Sequence, residues 1–213
     1  MKRDQAALPP LGCDCHVHVF GPYDRFPLDP DRAYTPGLAS IGELTDLLSR
    51  LGLKRVVIVQ ASPQGTDNAC LVDALEQINA AGVLQARGVA VIDEKTPESQ
   101  LHDMHRAGVR GVRVNLESAG QHNPEVARSL MQRAADRVAS LGWHVQTYTS
   151  LPVIAAMADT LAQLPVPVVI DHFGRATAAR GTEQAGFDQL LQLVRSGRGE
   201  KADGEEREQE RNG

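Results

Sequence analysis

Short apolar runs alternate with amphipathic stretches from about residue 12 to residue 196. The run Val56-Val57-Ile58-Val59 is apolar at four consecutive positions, which is typical of a parallel strand covered on both faces. The pattern predicts six strands, at residues 13–19, 55–60, 86–92, 111–115, 143–148 and 168–171. It predicts helices between them at residues 41–51, 68–80, 97–107, 124–141 and 152–164, and a last helix near residues 187–196.

Start and stop signals support these helices. Asn123 precedes Pro124 at one predicted start, and glycines follow the last apolar turn of four helices, at Gly52, Gly82, Gly108 and Gly142. The repeated strand-then-helix order implies an α/β fold with a parallel sheet. Six such units are compatible with a doubly wound sheet, whereas a (β/α)₈ barrel needs two more.

Composition divides the chain into three parts. Residues 1–11 are an N-terminal extension, residues 12–196 are the α/β domain, and residues 197–213 are a charged tail. Ten of the seventeen tail residues are charged, so we expect the tail to be disordered. A natural acidic tail and a truncated or frame-shifted gene product both fit this change in composition.

Bulk properties exclude several classes of function. The net charge is −5 and no basic cluster occurs, so binding to nucleic acid is not expected. No apolar run approaches the roughly 20 residues that cross a bilayer, and the first residues lack the apolar core of a secretory signal. Three cysteines without framework spacing fit a reducing compartment, so we expect a cytoplasmic location.

The first predicted strand carries the most informative motif, Asp14-Cys15-His16-Val17-His18. Alternate side chains of a strand share a face, so Asp14, His16 and His18 point the same way. Two imidazoles and a carboxylate on one face form half of a metal site, or a cluster that polarises a carbonyl. The alternative is a pair of polar histidines at the rim of the sheet.

Other predicted strands end in polar residues, and the carboxyl ends of parallel strands are where chemistry gathers in α/β folds. These residues are Gln60, Ser62, Arg113, Asn115, His144, Gln146, Tyr148, Asp171, His172 and Arg175. A histidine at the buried end of an apolar strand has little packing purpose, which favours a functional role for His172. Arg113 alternates with valines and needs an anionic partner, either a substrate carboxylate or a protein acid. Ser62 and Tyr148 could bind a ligand or cap local structure.

Five blocks of sequence resemble the amidohydrolase-related superfamily, in particular enzymes of the 2-pyrone-4,6-dicarboxylate lactonase type. The blocks are DCHVHVFGP at residues 14–22, VIVQAS with GTDN at 57–62 and 65–68, RGVRVN at 110–115, GWHV at 142–145 and VIDHFGR at 169–175. The resemblance runs from about residue 12 to residue 195 without large gaps. It implies a (β/α)₈ TIM-barrel fold that is incomplete here, with about six βα units present and the last two missing.

The resemblance also implies a function. The family hydrolyses a small cyclic ester or amide, and the lactonase type acts on a lactone that bears carboxylates, in the degradation of aromatic compounds. His16, His18 and His172 would surround the scissile carbonyl as catalytic residues. Ser62, Thr66, Arg113 and Tyr148 would bind the substrate. Imidazoles around a carbonyl oxygen can stabilise the oxyanion that forms when water attacks.

The resemblance leaves the cofactor open between two alternatives. The lactonase branch implies no metal, whereas many amidohydrolases bind one or two divalent ions through such histidines. One divalent metal such as zinc on His16, His18 and His172 is therefore the alternative. A metal-dependent amidohydrolase or decarboxylase, and a non-catalytic remnant, are the alternative functions.

Two departures from the family pattern change the expected activity. The family's general-base aspartate lies at the end of strand eight in a G-T-D-W-P-like motif, which this sequence lacks. We therefore expect little or no hydrolysis by the 213-residue chain. Where the lactonase type carries an extra basic residue after strand four, residues 116–120 read LESAG, which weakens the case for a dicarboxylate substrate.

Overall fold

The computed structural model describes residue 9, residues 11–197 and residues 199–200. Seven strands form one sheet in the order β1-β2-β3-β4-β5-β6-β7, and every neighbouring pair is parallel. The strands are β1 (Cys13–Val17), β2 (Arg55–Val59), β3 (Gln85–Ala90), β4 (Val109–Asn115), β5 (His144–Tyr148), β6 (Val168–Ile170) and β7 (Gly199–Glu200). Chain order and sheet order are identical, as in a barrel.

Helices lie between the strands. They are α1 (Ile41–Leu51), α2 (Ala69–Ala81), α3 (Glu98–Ala107), α4 (Pro124–Val138), α5 (Leu151–Ala156), α6 (Ala158–Gln163), a single turn α7 (His172–Arg175) and α8 (Phe187–Arg195). The sheet curls into an incomplete (β/α)₈ barrel, which confirms the predicted fold class. The described residues contain six βα units and the two-residue start of a seventh strand.

Local sequence explains where the helices begin and end. Ser40 caps α1 through a capping box with Glu43, and Asn123 accepts hydrogen bonds from the first backbone N–H groups of α4. Gly52 and Gly82 end α1 and α2 in the left-handed conformation. These are among the signals that predict the helices from the sequence.

The hydrophobic core lies between the sheet and the helices. Val56 and Ile58 of β2 pack with Leu48 of α1 and Leu75 of α2, and all four side chains are buried. Trp143, just before β5, is fully buried, and its indole N–H donates to Nδ1 of His105 at 2.8 Å. His105, on α3, therefore has a structural role.

The predicted boundaries differ from the structure in a few places. The predicted first strand extends to residue 19, but β1 ends at Val17, so His18 lies just beyond it. The helix predicted at residues 152–164 is two helices, because the backbone leaves the helical region at Met157 (φ −113°, ψ 14°). The buried Met157 side chain points into the core at this break.

The two ends of the chain fall mostly outside the described residues. Of the predicted N-terminal extension, the structure describes residues 9 and 11, and of the predicted disordered tail it describes residues 197, 199 and 200. Gly199–Glu200 pair with β6 as β7. Within the described part of the chain, every helix is too short or too polar to cross a membrane.

Candidate active site

Two histidines reach the carboxyl edge of the sheet from β1. His16 lies within β1, and His18 follows its last residue. Their rings meet edge to face, with centroids 5.2 Å apart. Nδ1 of His18 lies 2.7 Å from the carbonyl oxygen of Val59, at the end of β2. Because a carbonyl only accepts hydrogen bonds, Nδ1 of His18 carries the proton, and the neutral ring keeps a lone pair on Nε2.

The surroundings of His18 keep its ring neutral. Burial lowers the pKa of His18, and the hydrogen bond to Val59 opposes this effect only in part. The neighbouring His16 lowers the pKa of His18 further. At pH 7 the Nε2 atom of His18 can therefore accept a proton or a hydrogen bond, or coordinate a cation.

A buried ion pair lies beside the histidines. Asp171, directly after β6, accepts a hydrogen bond from Nε of Arg113 at 2.9 Å, and Nη2 of Arg113 lies 2.9 Å from the same oxygen, Oδ2. The side chain of Arg113 is 5% exposed and that of Asp171 is 1% exposed. Charges buried this deeply persist only when they are paired. The structure thus gives Arg113 the protein acid that the sequence left as one of two possible partners.

Strand register brings this cluster together. Arg113 of β4 is the register partner of Gln146 of β5, and the backbone N–H of Asp171 continues the pairing to Thr147. Gln146 donates from Nε2 to Oδ1 of Asp171 at 2.5 Å. Both carboxylate oxygens of Asp171 therefore accept hydrogen bonds, Oδ2 from a residue of β4 and Oδ1 from a residue of β5.

Asp171 also faces His16. Its Oδ1 atom lies 3.4 Å from Nδ1 of His16. Burial alone raises the pKa of Asp171, but the hydrogen bond with His16 and the charge of Arg113 outweigh burial, so the pKa lies below its ordinary value. An ionised Asp171 is placed to orient the His16 ring through Nδ1, which leaves Nε2 facing away from the carboxylate. Among the described residues, the buried Nε2 of His16 has no hydrogen-bond partner.

His172 opens a left-handed turn after β6. The φ angles of His172 and Phe173 are both 51°, Gly174 has 61° and Arg175 has 59°. Each non-glycine residue in this region costs on the order of 1–2 kcal/mol, and such strain collects at functional sites. Gly174 also permits close packing, since a Cβ there would lie 2.4 Å from Cδ1 of Ile154.

The turn sets His172 against the other predicted residues. Its ring centroid lies 4.9 Å from that of His16 and 5.2 Å from that of Tyr148. The His172 side chain is exposed, in contrast to the buried position that the apolar strand before it suggests, because the backbone changes direction at once after β6. The structure thus brings His16, His18 and His172 together at one edge of the sheet.

The four predicted substrate-binding residues lie at different depths. Arg113 and Tyr148 are next to the histidines, with the guanidinium carbon 5.5 Å from the centroid of the Tyr148 ring. Ser62 opens a 3₁₀ turn (Ser62–Gln64) that begins three residues after the end of β2. Thr66 is exposed further along that loop, where its carbonyl accepts a hydrogen bond from Asn68. Their roles in substrate binding stay predictions.

A second ion pair lies beside Tyr148. The backbone N–H groups of Leu116 and Glu117, after β4, both donate to the carbonyl of Tyr148, at 3.1 and 3.0 Å. The Glu117 carboxylate pairs through Oε1 with Nη1 of Arg175, from the left-handed turn. The side chain of Glu117 is 17% exposed and that of Arg175 is 47% exposed. Within the described chain, the buried Oε2 of Glu117 lacks a hydrogen-bond partner.

The site could hold a metal ion. Ligand atoms of His16, Asp171 and His172 all lie within 4.8 Å of one another. The unpartnered Nε2 of His16 and the lone pair on Nε2 of His18 are donors that zinc accepts. Asp171 is neutralised by Arg113, however, and the nearby guanidinium repels a cation.

Sequence reasoning missed the supporting residues of this site. The sequence places Asp171 and Gln146 at the ends of predicted strands without indicating a role for either, and it marks Glu117 only as a position without a basic residue. Asp171 directly precedes His172, and Gln146 has the same strand parity as Tyr148. These two positions in the sequence could have indicated a role for Asp171 and Gln146. Their contacts with Arg113 and His16 depend on strand register, which the sequence does not give.

Comparisons with known proteins agree with this architecture. The sequence profile described as Amidohydrolase matches residues 13–202. The chain is similar to a 2-pyrone-4,6-dicarboxylate hydrolase from Comamonas testosteroni, with 37% identity over 195 residues, which cover 91% of this chain and 62% of that protein. It is also similar to a 4-sulfomuconolactone hydrolase from Hydrogenophaga intermedia, with 33% identity over 88% of this chain and 60% of that protein.

A solved structure from Pseudomonas putida is similar as well. It is assigned as a 2-pyrone-4,6-dicarboxylic acid hydrolase, and it matches with a TM-score of 0.74 and 34% identity over 91% of this chain and 68% of that chain. The chain thus spans about three fifths of the length of the two curated relatives. The profile covers most of the chain, and the chain therefore belongs to the amidohydrolase family.

Proposed function

We propose that this site belongs to a hydrolase that directs water onto the carbonyl of a small cyclic ester bearing one or more carboxylate groups. The observation that carries the proposal is the meeting of three imidazoles, one of them backed by an ionised aspartate. The two curated relatives are named for hydrolysing a pyrone dicarboxylate and a sulfomuconolactone. Both names describe a cyclic ester with anionic substituents.

The geometry suggests a role for each group. His16 takes a proton from the attacking water through Nε2, while Asp171 stabilises the resulting imidazolium. The same imidazolium can return the proton to the ester oxygen when the ring opens. Neutral His18 accepts a hydrogen bond from the water, and His172, at the mouth, is placed to donate to the carbonyl oxygen as it becomes negative.

Arg113 acts in this scheme mainly through Asp171. Its buried ion pair holds the carboxylate against His16, and its charge adds to the attraction for a substrate carboxylate. Tyr148, Ser62 and Thr66 are the proposed hydrogen-bonding partners of the substrate. We further propose a cytoplasmic protein with a small-molecule partner and neither a nucleic-acid nor a membrane partner.

We propose that the reaction needs no resident metal, because Arg113 engages the Asp171 carboxylate and its positive charge repels a divalent ion beside the histidines. In the alternative, a metal-dependent amidohydrolase or decarboxylase, His16, His18 and His172 would hold the ion. The ion would polarise the carbonyl and lower the pKa of a bound water. Two results would favour the alternative: stoichiometric zinc in the purified protein, and an enzymatic activity that a chelator abolishes.

We propose that the 213-residue chain by itself has little activity. The general base that the resemblance places on strand eight has no counterpart in the described residues, and the His16–Asp171 pair is its only evident substitute there. The assay measures the rate at which the ring of a carboxylated 2-pyrone opens, through the change in its ultraviolet absorbance. We expect the chain to open the ring at a rate close to that in buffer alone. Any rate above that of buffer should be lost in His16→Gln and kept in His122→Gln, a control at an exposed histidine.

Two outcomes would contradict these proposals. Rapid turnover by the purified chain would refute the low-activity proposal. Turnover that survives His16→Gln unchanged would refute the role of the imidazole cluster.

A further inference from the structure

The two arginines at this edge of the sheet are each paired with an acid of the chain. Arg113 is bound to Asp171, and Arg175 is bound to Glu117. A guanidinium that is already bound to a carboxylate offers less attraction to a carboxylate of a ligand. The number of anionic groups that the site can accept therefore depends on these two pairs.

The Glu117–Arg175 pair differs from the Arg113–Asp171 pair in its exposure. Arg113 and Asp171 are both deeply buried, whereas the Arg175 side chain is 47% exposed and open to a ligand. Glu117 is held in place by backbone hydrogen bonds from residues 116 and 117 to the Tyr148 carbonyl. The Tyr148 ring in turn contacts the ring of His172, so the pair borders the histidine cluster.

Glu117 brings negative charge to this border. One of its oxygens pairs with Arg175, and its other oxygen is buried without a hydrogen-bond partner among the described residues. A second carboxylate on a ligand that approaches Arg175 also approaches the Glu117 carboxylate that is bound to it. Like charges repel, so the negative charge of Glu117 opposes the approach of that carboxylate.

We propose that Glu117 is a specificity-determining residue that restricts the site to cyclic esters with a single carboxylate. This inference rests on the proposed function, since it assigns the charge of the ligand at the same site. Arg175 is the anion-binding group that Glu117 keeps occupied. Removing the Glu117 charge frees Arg175 for a second carboxylate.

Binding of two ring carboxylates that cannot be hydrolysed tests the proposal. Isothermal titration at low ionic strength compares benzoate with benzene-1,3-dicarboxylate. We expect the wild-type chain to prefer benzoate, and Glu117→Gln to bind the dicarboxylate about tenfold more tightly than the wild type, a change of about 1.4 kcal/mol. Benzoate affinity should change less than about twofold, because its single carboxylate does not need Arg175.

Three further variants complete the test. Glu117→Ala should show the same gain, which separates loss of charge from the effect of the new amide. Glu117→Gln with Arg175→Gln should lose the gain, because the freed guanidinium is gone. Glu125→Gln is the matched control, since Glu125 is also paired with an arginine, Arg128, but on α4. We expect it to behave like the wild type.

A Glu117→Gln variant that binds the dicarboxylate no better than the wild type overturns the proposal. So does an equal gain in Glu125→Gln, which would show a general effect of net charge. The titration measures binding and not hydrolysis, so its result is valid even if the chain has no activity. Hydrolysis without charge selectivity would overturn this inference and leave the proposed function intact.

Discussion

Replacing Arg113 with methionine should destabilise the protein strongly, because Asp171 would remain buried without its cation. The Asp171 side chain is 1% exposed, and two guanidinium nitrogens lie 2.9 Å from its Oδ2. Removing one partner of a buried ion pair costs about 3–5 kcal/mol, since the remaining charge has lost water and gained no substitute. This loss is a large part of the 5–15 kcal/mol that typically stabilises a domain.

The measurement is urea unfolding at neutral pH, followed by fluorescence. The chain has a single tryptophan, Trp143, which is fully buried, so its emission reports on the core. The double variant Arg113→Met with Asp171→Leu should recover at least about 2 kcal/mol, because two apolar side chains replace the pair together. Arg106→Met is the matched control, since Arg106 and Asp103 form an exposed pair that contributes less than about 1 kcal/mol.

Two results would refute this reasoning. The first is a loss in Arg113→Met no larger than in Arg106→Met, which would mean that water reaches Asp171. The second is a double variant as unstable as the sum of its single variants, which would mean that the two side chains are not coupled.

Two other changes should have measurable effects. Gly111→Ala should destabilise the protein by about 1–3 kcal/mol, because a Cβ there would lie 2.4 Å from the ring of His144. Gly37→Ala is the control, because a Cβ at residue 37 meets nothing within 4 Å. Equal losses of stability for the two variants in urea unfolding would contradict the packing argument. The free energy of unfolding should fall as the pH drops below about 6.5, because burial lowers the pKa of His18 and of His144 in the folded protein. Below that pH the unfolded chain binds more protons at these two residues than the folded chain does, which favours unfolding. Urea unfolding at neutral and mildly acidic pH measures this fall, His144→Gln should reduce it, and a stability that stays constant or rises on acidification would contradict it.

The apolar pattern was sufficient to predict an α/β fold with a parallel sheet, and the resemblance to the amidohydrolase-related superfamily added the incomplete barrel. Consecutive apolar residues such as those of β2 indicate strands covered on both faces, and glycines such as Gly52 and Gly82 mark helix ends through left-handed backbone. Boundaries were less certain where tertiary contacts decide them. Met157 interrupts a helix without a proline or glycine, and His18 leaves β1 to bond with the end of β2.

The candidate site was predictable in part. The alternation of His16 and His18 along the first predicted strand places both on one face. The carboxyl ends of parallel strands lie at the same edge of the sheet, so His172, after the sixth strand, is expected near them. The partners of those histidines were not predictable, since they depend on register. One residue of shift between β4 and β5 would separate Arg113 from Gln146 and from Asp171. The left-handed turn at His172 also has no signal in a His-Phe dipeptide.

The most direct test of the central claim is whether one ligand reaches all three imidazoles. The ring signals of the seven histidines can be followed by nuclear magnetic resonance, and the variants His16→Gln, His18→Gln and His172→Gln assign three of them. On titration with 2-pyrone-5-carboxylate, these three signals should shift together with one dissociation constant, while those of exposed His102 and His122 stay in place. Three signals that stay in place, or that shift with different constants, would contradict the account.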